Sequence, residues 1–226
     1  MTDHAHGPHQ GRHAQHAHRL QHAQHAHHGH GAGPEDDAGL AEMLDLDAQV
    51  VGGYLTEATA LLAELADGGA VEQVMDLGAG TGTGTLALLD RFPGAHITAL
   101  DISPAMLERV QQAAQERGVA DRLSTLEVDL DGPWPDLEPM DLAWSAAALH
   151  HLTDPDRVLR RVYAALRPGG LFAVTEMNSF PRFLPDDIGL GRPGLEDRIA
   201  AAVTADRAER MPTFGTDWAP SLVRAG

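Results

Sequence analysis

Short apolar runs alternate with segments of helical periodicity through the middle of this chain, between residues 71 and 178. Each run has the length of a buried strand, and the segments between the runs are long enough to form helices. This alternation predicts right-handed βαβ units, and therefore an α/β fold with a doubly wound, mainly parallel sheet and helices on both faces. The five predicted strands cover residues 72–76, 96–101, 123–130, 140–145 and 171–176.

A separate helical pattern precedes the first strand. Apolar residues recur near the helical period across residues 39–66, and Gly52-Gly53 predicts a break inside this segment. Residues 179–226 follow the last predicted strand and end in a short helical pattern. At this chain length we expect residues 34–226 to form one α/β domain with a single core.

Residues 1–33 have a different composition, because eleven of the fourteen histidines lie here among Ala, Gln and Gly. Such a segment buries too little apolar surface to offset its ordering entropy, so we predict that it is disordered. Imidazoles spaced by one residue can bind Zn²⁺, Ni²⁺ or Cu²⁺. A polar extension without metal fits the same pattern, and both interpretations stay open. The candidate ligands are His16, His18, His25 and His27.

A glycine occupies every second position after the first strand, giving D-x-G-x-G-x-G from Asp76 to Gly82, with one more glycine at 84. Glycines let the chain bend sharply and let a ligand lie against main-chain N–H groups. A dinucleotide-binding loop needs G-x-G-x-x-G, and Thr83 or Thr85 stands where its third glycine would be. A nicotinamide oxidoreductase is therefore the weakest alternative.

Further signals follow in order along the chain. Asp101 ends the second strand, where an acid can accept both hydroxyls of a ribose. Ser103-Pro104 then begins a helix, and Asp129 lies near the end of the third strand. Together with the loop at residues 142–152 and the turn at Arg167–Gly170, these features resemble the motifs of the class I S-adenosylmethionine-dependent methyltransferases. The resemblance covers residues 40–226.

This resemblance implies a sheet of strand order 3-2-1-4-5, S-adenosylmethionine as cofactor and S-adenosylhomocysteine as product. In such proteins Asp76 lies near the methionine amino group, Asp101 holds the ribose hydroxyls and Ile102 packs on the adenine. The glycines pass under the methionine and the ribose, and the third-strand acid with its neighbour meets the adenine edge. The implied cofactor contacts are Asp76, Gly78, Ala79, Gly80, Gly82, Asp101, Ile102, Asp129, Leu130 and Ser145.

Methyl transfer from a sulfonium depends mainly on alignment, and it needs a base only when the acceptor is a hydroxyl or a protonated nitrogen. His150 and His151 follow the fourth strand at the ligand-binding edge of the sheet, so they are the candidates for that base. Alternatively, one of them packs in the core and the other orients a loop. Tyr54 and Trp144 are the candidate substrate contacts.

Composition limits the partners. A formal charge of −17 argues against a nucleic-acid substrate, and the absence of cysteine excludes thiolate chemistry and disulfides. No apolar run has the length of a membrane span, so we expect a cytoplasmic protein without a membrane partner. We predict an enzyme that methylates a small molecule. A non-catalytic S-adenosylmethionine-binding protein and a metal-handling protein that uses the histidines of residues 1–33 remain as alternatives.

The family resembled here completes its sheet with two further strands that form a hairpin, and no such hairpin is visible after residue 178. The fifth strand would then be an edge with unpaired backbone groups, which favours association. We expect either a truncated chain or a homodimer in which a second copy covers this edge.

Overall fold

The computed structural model describes residues 34–66, 68–177, 182–207 and 212–226. The N-terminal segment 1–33, with the predicted ligands His16, His18, His25 and His27, lies outside the described residues. The chain divides into two compact units, Met1–Leu40 and Ala41–Gly226. The sheet and the candidate site belong entirely to the second unit.

Five parallel strands form one sheet in the order β3-β2-β1-β4-β5, which confirms the predicted fold class. Asp76 on the central strand is in register with Ala99 on one side and with Trp144 on the other. The carboxyl ends of β2 and β4 therefore flank the carboxyl end of β1, which is where open α/β sheets bind ligands. The strands are β1 (Gln73–Leu77), β2 (His96–Asp101), β3 (Leu123–Glu127), β4 (Met140–Ala146) and β5 (Leu166–Thr175).

The helices begin and end where the local sequence provides caps and breaks. Gly52 separates the first two helices, as the Gly52-Gly53 pair predicts. The side chain of Ser103 accepts a hydrogen bond from the Met106 amide, and that of Asp154 accepts one from the Arg157 amide. The described α-helices are α1 (Pro34–Val51), α2 (Gly53–Leu65), α3 (Thr83–Arg91), α4 (Pro104–Glu116), α5 (Pro155–Ala165), α6 (Leu195–Arg207) and α7 (Ala219–Ala225).

Alternate residues of the central strands enter two different apolar clusters, one on each face of the sheet. Val74 and Leu142 join the cluster formed with α2 and α3, whereas Met75 and Ala143 join the cluster formed with α5. Burial on both faces explains why these strands are continuously apolar in the sequence. No helix among the described residues is both long and apolar enough to span a bilayer.

The fifth strand begins earlier than predicted, at Leu166 and not at Leu171. Leu166 pairs with Met140, after which the register shifts and Leu171 pairs with Leu142. The predicted turn at Arg167–Gly170 is therefore an irregularity within β5. The turn is held by Arg167, whose Nη1 lies 2.7 Å from Asp141 Oδ1.

β5 is an edge of the five-stranded sheet. The pairing of this edge with a second copy of the chain stays a prediction. Near β5, Trp218 is buried in a third apolar cluster with Leu149 and Leu159, so the segment before α7 packs against the loop that follows β4.

Candidate functional site

The glycine-rich loop is bound to the strand beside it. The amides of Gly78 and Ala79 both donate to the Leu100 carbonyl, at 2.8 and 3.0 Å. Gly82 caps α3 in the left-handed conformation with φ 89°, and a Cβ at this position would lie 2.9 Å from both methyl carbons of Val110. The loop therefore requires glycine at position 82 for its backbone conformation and for its close approach to α4.

Asp101 connects this loop to the end of β2. Its Oδ2 accepts a hydrogen bond from the Gly80 amide at 2.8 Å, and its Oδ1 accepts one from the Ser103 amide at 2.9 Å. A carboxylate is an acceptor with several lone pairs, the kind of group that binds ligand hydroxyls. The next side chain, Ile102, is 52% exposed despite being apolar. An oriented carboxylate beside an exposed apolar side chain fits a ribose with its attached base.

Asp76 is only 2% exposed, and the Thr85 hydroxyl donates to its Oδ2 at 2.6 Å. No cationic side chain pairs with it among the residues the structure describes. Burial raises the pKa of Asp76 to about 7, a shift that the Thr85 hydrogen bond opposes and the charge of Asp101 increases. A buried carboxyl group without a cation fits a ligand that carries an ammonium group.

Trp144 and Ser145 lie beneath this part of the site. The side chain of Trp144 is 1% exposed. A Cβ added to Gly84 would lie 2.8 Å from Trp144 Nε1 and 3.5 Å from Asp76 Oδ2, so a side chain at position 84 would collide with the tryptophan. Neither Trp144 Nε1 nor Ser145 Oγ has a hydrogen-bond partner among the described residues. The side chain of Trp144, predicted as a substrate contact, packs within the core cluster that contains Val74 and Leu142.

His150 and Glu176 form a close pair at the ends of β4 and β5. His150 Nδ1 lies 2.6 Å from Glu176 Oε2, and the two side chains are 5% and 7% exposed. Glu176 Oε1 also accepts a hydrogen bond from the Leu149 amide at 2.7 Å. His151 is exposed and stacks at a tilt on the His150 ring. The two predicted base candidates therefore occupy different environments.

Tyr54 of α2 belongs to the same polar region. Burial raises the pKa of its hydroxyl, and the negative charges of Asp76 and Glu176 raise that pKa further. The hydroxyl is therefore close enough to both carboxyl groups to be affected by their charges. Tyr54 also packs against the apolar cluster that contains Val74 and Leu142, so only part of this predicted substrate contact lies toward the carboxyl groups.

The two predicted contacts near β3 lie in contrasting environments. Asp129 is exposed, and its Oδ1 accepts a hydrogen bond from the Asp131 amide at 2.9 Å. Leu130 is buried in the cluster on the α5 face, so its side chain packs in the core. Among the described residues, no group of three or more histidine or acidic side chains is arranged to hold a metal ion.

Comparison with known proteins identifies the domain. Residues 75–172 match the family model described as a methyltransferase domain. Over 105 residues the chain is 38% identical to a trans-aconitate 2-methyltransferase of Paracidovorax citrulli (strain AAC00-1), covering 46% of this chain and 38% of that protein. Over 108 residues it is 32% identical to a tRNA 5-carboxymethoxyuridine methyltransferase of Escherichia coli (strain K12), covering 47% of this chain and 41% of that protein.

The chain thus spans about two fifths of the length of these two relatives. A solved structure from Methanococcus maripaludis, assigned to the S-adenosyl-L-methionine-dependent methyltransferases, has a TM-score of 0.53. The two sequences are 17% identical, and the match covers 82% of this chain and 77% of the other. At this identity the likeness concerns the fold alone. Residues 75–172 thus match a methyltransferase domain, and the sheet order and the glycine-rich loop agree with the resemblance to the class I S-adenosylmethionine-dependent methyltransferases.

Proposed function

We propose that this chain transfers a methyl group from S-adenosylmethionine to a small-molecule acceptor. The observation that carries the proposal is the placement of two carboxyl groups around the glycine-rich loop. Asp76 is buried without a cationic partner in the described part of the chain, and Asp101 is oriented by the Gly80 amide. These groups match the ammonium and the ribose hydroxyls of this cofactor.

The cofactor would supply a methyl group on a sulfonium, which leaves as a neutral thioether. The chain's own residues would bind and align the reactants. Asp76 would accept hydrogen bonds from the ammonium group, Asp101 from the ribose, and Ile102 would cover one face of the adenine. The remaining proposed contacts are the loop residues Gly78, Ala79, Gly80 and Gly82, the adenine-edge residues Asp129 and Leu130, and Ser145 near the end of β4.

A small molecule is the acceptor that the charge distribution favours. The net charge is −17, and three of the four arginines on or just after α5 have partners inside the protein, whereas Arg160 is exposed. Arg157 contacts the Asp131 side chain, Arg161 donates to the Leu130 and Gly132 carbonyls, and Arg167 pairs with Asp141. This cluster therefore offers little free positive charge to a phosphate backbone. Because the Escherichia coli relative is named for a tRNA nucleoside, the test includes RNA.

Calorimetric titration with S-adenosylhomocysteine tests the cofactor assignment. Losing a charge-assisted hydrogen bond costs roughly 1.5–3 kcal/mol, so Asp76→Ala and Asp101→Ala should each weaken binding at least about tenfold. Asp121→Ala, at an exposed position in the turn before β3, is the matched control and should leave the affinity unchanged. Unaltered affinity in both folded site variants would refute the assignment.

Incubation with labelled cofactor then separates an enzyme from a binding protein. Pools of metabolites and of unmodified tRNA are analysed for products that gain one methyl mass. A methylated metabolite supports the proposal, and a methylated tRNA moves the acceptor to nucleic acid. Tight cofactor binding without any methylated product in either pool supports the non-catalytic alternative.

For residues 1–33 we propose a divalent metal as partner, on the histidine spacing alone. Micromolar Ni²⁺ or Zn²⁺ should shift the NMR signals of His16, His18, His25 and His27. Deleting residues 1–33 should leave methyl transfer intact. Insensitivity of those signals to metal would reduce the segment to a polar extension.

A further inference from the structure

We propose that His150 is the base that removes a proton from the methyl acceptor, and that Glu176 is the positioning residue that holds it. The acceptor is then a molecule whose attacking atom carries an ionisable proton, such as a phenol, another acidic hydroxyl or a protonated amine. This inference rests on the proposed methyl transfer and adds the acceptor class to it.

The hydrogen bond between the two side chains fixes which ring nitrogen can act. Glu176 Oε2 lies 2.6 Å from His150 Nδ1, and a carboxylate can only accept there. The proton of the neutral ring is therefore on Nδ1, and the lone pair is on Nε2. No hydrogen-bond partner of Nε2 is seen among the described residues, so the proposal assigns the acceptor's proton to this atom.

The surrounding groups hold the ring in this orientation. Glu176 Oε1 accepts from the Leu149 amide at 2.7 Å, so the same carboxylate binds both the backbone of the loop and its imidazole. The Thr213 hydroxyl donates to the His150 carbonyl at 3.0 Å, and the Phe214 ring meets the imidazole edge-on with centroids 5.5 Å apart. A catalytic group fixed in this way loses little freedom when the acceptor binds.

The pair lies on the cofactor side of the sheet. The His150 loop follows β4, and Glu176 follows β5, so both stand at the carboxyl edge where Asp76 ends β1. The charges of Asp76 and Glu176 both reach the Tyr54 hydroxyl of α2, which links the pair to the cofactor residues. The titratable groups in contact with His150 are Glu176 and His151, and Glu176 in turn acts on the Tyr54 hydroxyl through its charge.

The proton transfer balances without another reactant. The bond between the acceptor atom and its hydrogen breaks, the electron pair stays on the acceptor atom, and the proton binds His150 Nε2. The acceptor atom uses that pair to bond the methyl carbon, whose bond to sulfur breaks with its electrons retained by sulfur. The imidazolium, stabilised by Glu176, then returns its proton to water.

A different class of acceptor would make a base unnecessary, and it is the alternative to this proposal. A carboxylate acceptor such as trans-aconitate, named for the Paracidovorax relative, is already deprotonated at neutral pH and needs no base. If this chain methylated only carboxylates, the His150–Glu176 pair would have no proton to remove and would simply join the loop to β5.

The test compares phenols, primary amines and trans-aconitate as acceptors for the wild type and for His150→Gln, Glu176→Gln and His96→Gln. His150→Gln should lower kcat for a phenol or amine by about 10²–10⁴-fold and abolish the fall in rate on acidification. The affinity of His150→Gln for S-adenosylhomocysteine should stay within about twofold of the wild-type value. His96 begins β2, and its Nε2 lies 2.8 Å from Ser124 Oγ on β3. His96→Gln is the matched control and should leave both kcat and affinity unchanged.

Glu176→Gln distinguishes a role in orienting the His150 ring from a role in holding the loop. The glutamine oxygen can still accept a hydrogen bond from the Leu149 amide, but its NH₂ group would donate to His150 instead of accepting from it. The ¹⁵N shifts of His150 in the protein bound to S-adenosylhomocysteine should report Nδ1–H in the wild type and Nε2–H in this variant, with a lowered kcat. The proposal is overturned if wild-type His150 carries its proton on Nε2, or if trans-aconitate alone is methylated and His150→Gln does not slow it. Failure of the wild type to bind S-adenosylhomocysteine would instead overturn the proposed function.

Discussion

At the residue scale, the carboxyl of Asp76 is buried among groups that do not neutralise it. Thr85 donates a hydrogen bond, but Asp101 and the rest of the described surroundings provide no positive charge. The same residue is proposed to bind the cofactor's ammonium group. A charged carboxylate that awaits a cationic ligand is expected to destabilise the ligand-free protein. The pKa of Asp76 gives the pH range over which that charge forms.

Ionisation of Asp76 should lower the stability of the ligand-free protein as the pH rises. Its folded pKa of about 7 lies above the ordinary value of 3.8, so the folded state holds the proton more tightly than the unfolded chain. This stabilisation is fully present below the unfolded pKa and is lost as the pH rises through about 7. Asp76→Asn should therefore melt above the wild type at pH ~8 and close to it at pH ~4.

Differential scanning calorimetry across this pH range measures the effect. Asp121→Asn, at an exposed position, is the control and should run parallel to the wild type. A constant difference between Asp76→Asn and the wild type at every pH would contradict the assignment. The variant should also bind S-adenosylhomocysteine more weakly, because the amide carries no charge.

Gly82 is the residue on which the loop backbone depends most. Gly82→Ala should cost about 1–2 kcal/mol for the left-handed conformation and about 1–3 kcal/mol more for the clash with Val110. Gly118→Ala is a matched control, because Gly118 has φ 68° with nothing within 4 Å of an added Cβ. Urea unfolding should therefore show a larger loss for Gly82→Ala. Equal losses would mean that Val110 moves aside at little cost.

At the element scale, the sheet could be predicted because its central strands β1 and β4 are buried on both faces and so are largely apolar. β2 is predicted to the residue, and β1 and β4 begin or end within one residue of the prediction. The start of β5 could not be predicted, because Arg167–Gly170 has the composition of a turn and only pairing with β4 extends the strand across it. The helix α6 lacks a strong apolar stripe and was also missed.

Asp141 holds three strands together at the amino edge of the sheet. Its Oδ2 accepts from the Glu72 and Gln73 amides at the start of β1, and its Oδ1 pairs with Arg167 in β5. Asp141→Ala leaves two amides and a partly exposed guanidinium without their acceptor, and should lower the free energy of unfolding by about 1–3 kcal/mol. Arg167→Met should cost less, because the arginine is partly exposed and its charge is screened.

A double-mutant cycle on Asp141 and Arg167 measures their coupling in chemical denaturation. We expect the single Asp141→Ala loss to exceed the Arg167→Met loss, and the pair to couple by about 0.5–3 kcal/mol. Additive losses would mean that Asp141 acts through the β1 amides alone.

At the scale of the whole molecule, the two halves of the site differ in how much the sequence reveals. The proposed cofactor half lies at or just after the ends of neighbouring strands, and each of its candidate residues follows directly from a strand pattern in the sequence. The proposed acceptor half consists of residues that are distant in the chain, namely Tyr54, His150, Glu176 and the segment 213–218. The pairing of His150 with Glu176 depends on how β4 and β5 align, and a single sequence carries no local signal for it.

Trp218 is the buried residue that holds the distant C-terminal segment against this half of the site. It packs with Leu149 and Leu159, next to the Thr213 and Phe214 contacts on His150. Removing a buried tryptophan side chain costs about 3–5 kcal/mol, so Trp218→Ala should lower the stability by that order. Because the proposed cofactor residues lie on other elements, S-adenosylhomocysteine affinity should change less than about twofold while kcat falls at least about tenfold.

Val223→Ala is the matched control, since Val223 lies on the same C-terminal segment but is 80% exposed. It should leave stability, affinity and kcat unchanged. Parallel losses of cofactor affinity and kcat in Trp218→Ala would show that the segment supports the whole domain. Loss of kcat alone would show that it acts through the His150 loop, which is the outcome its contacts favour.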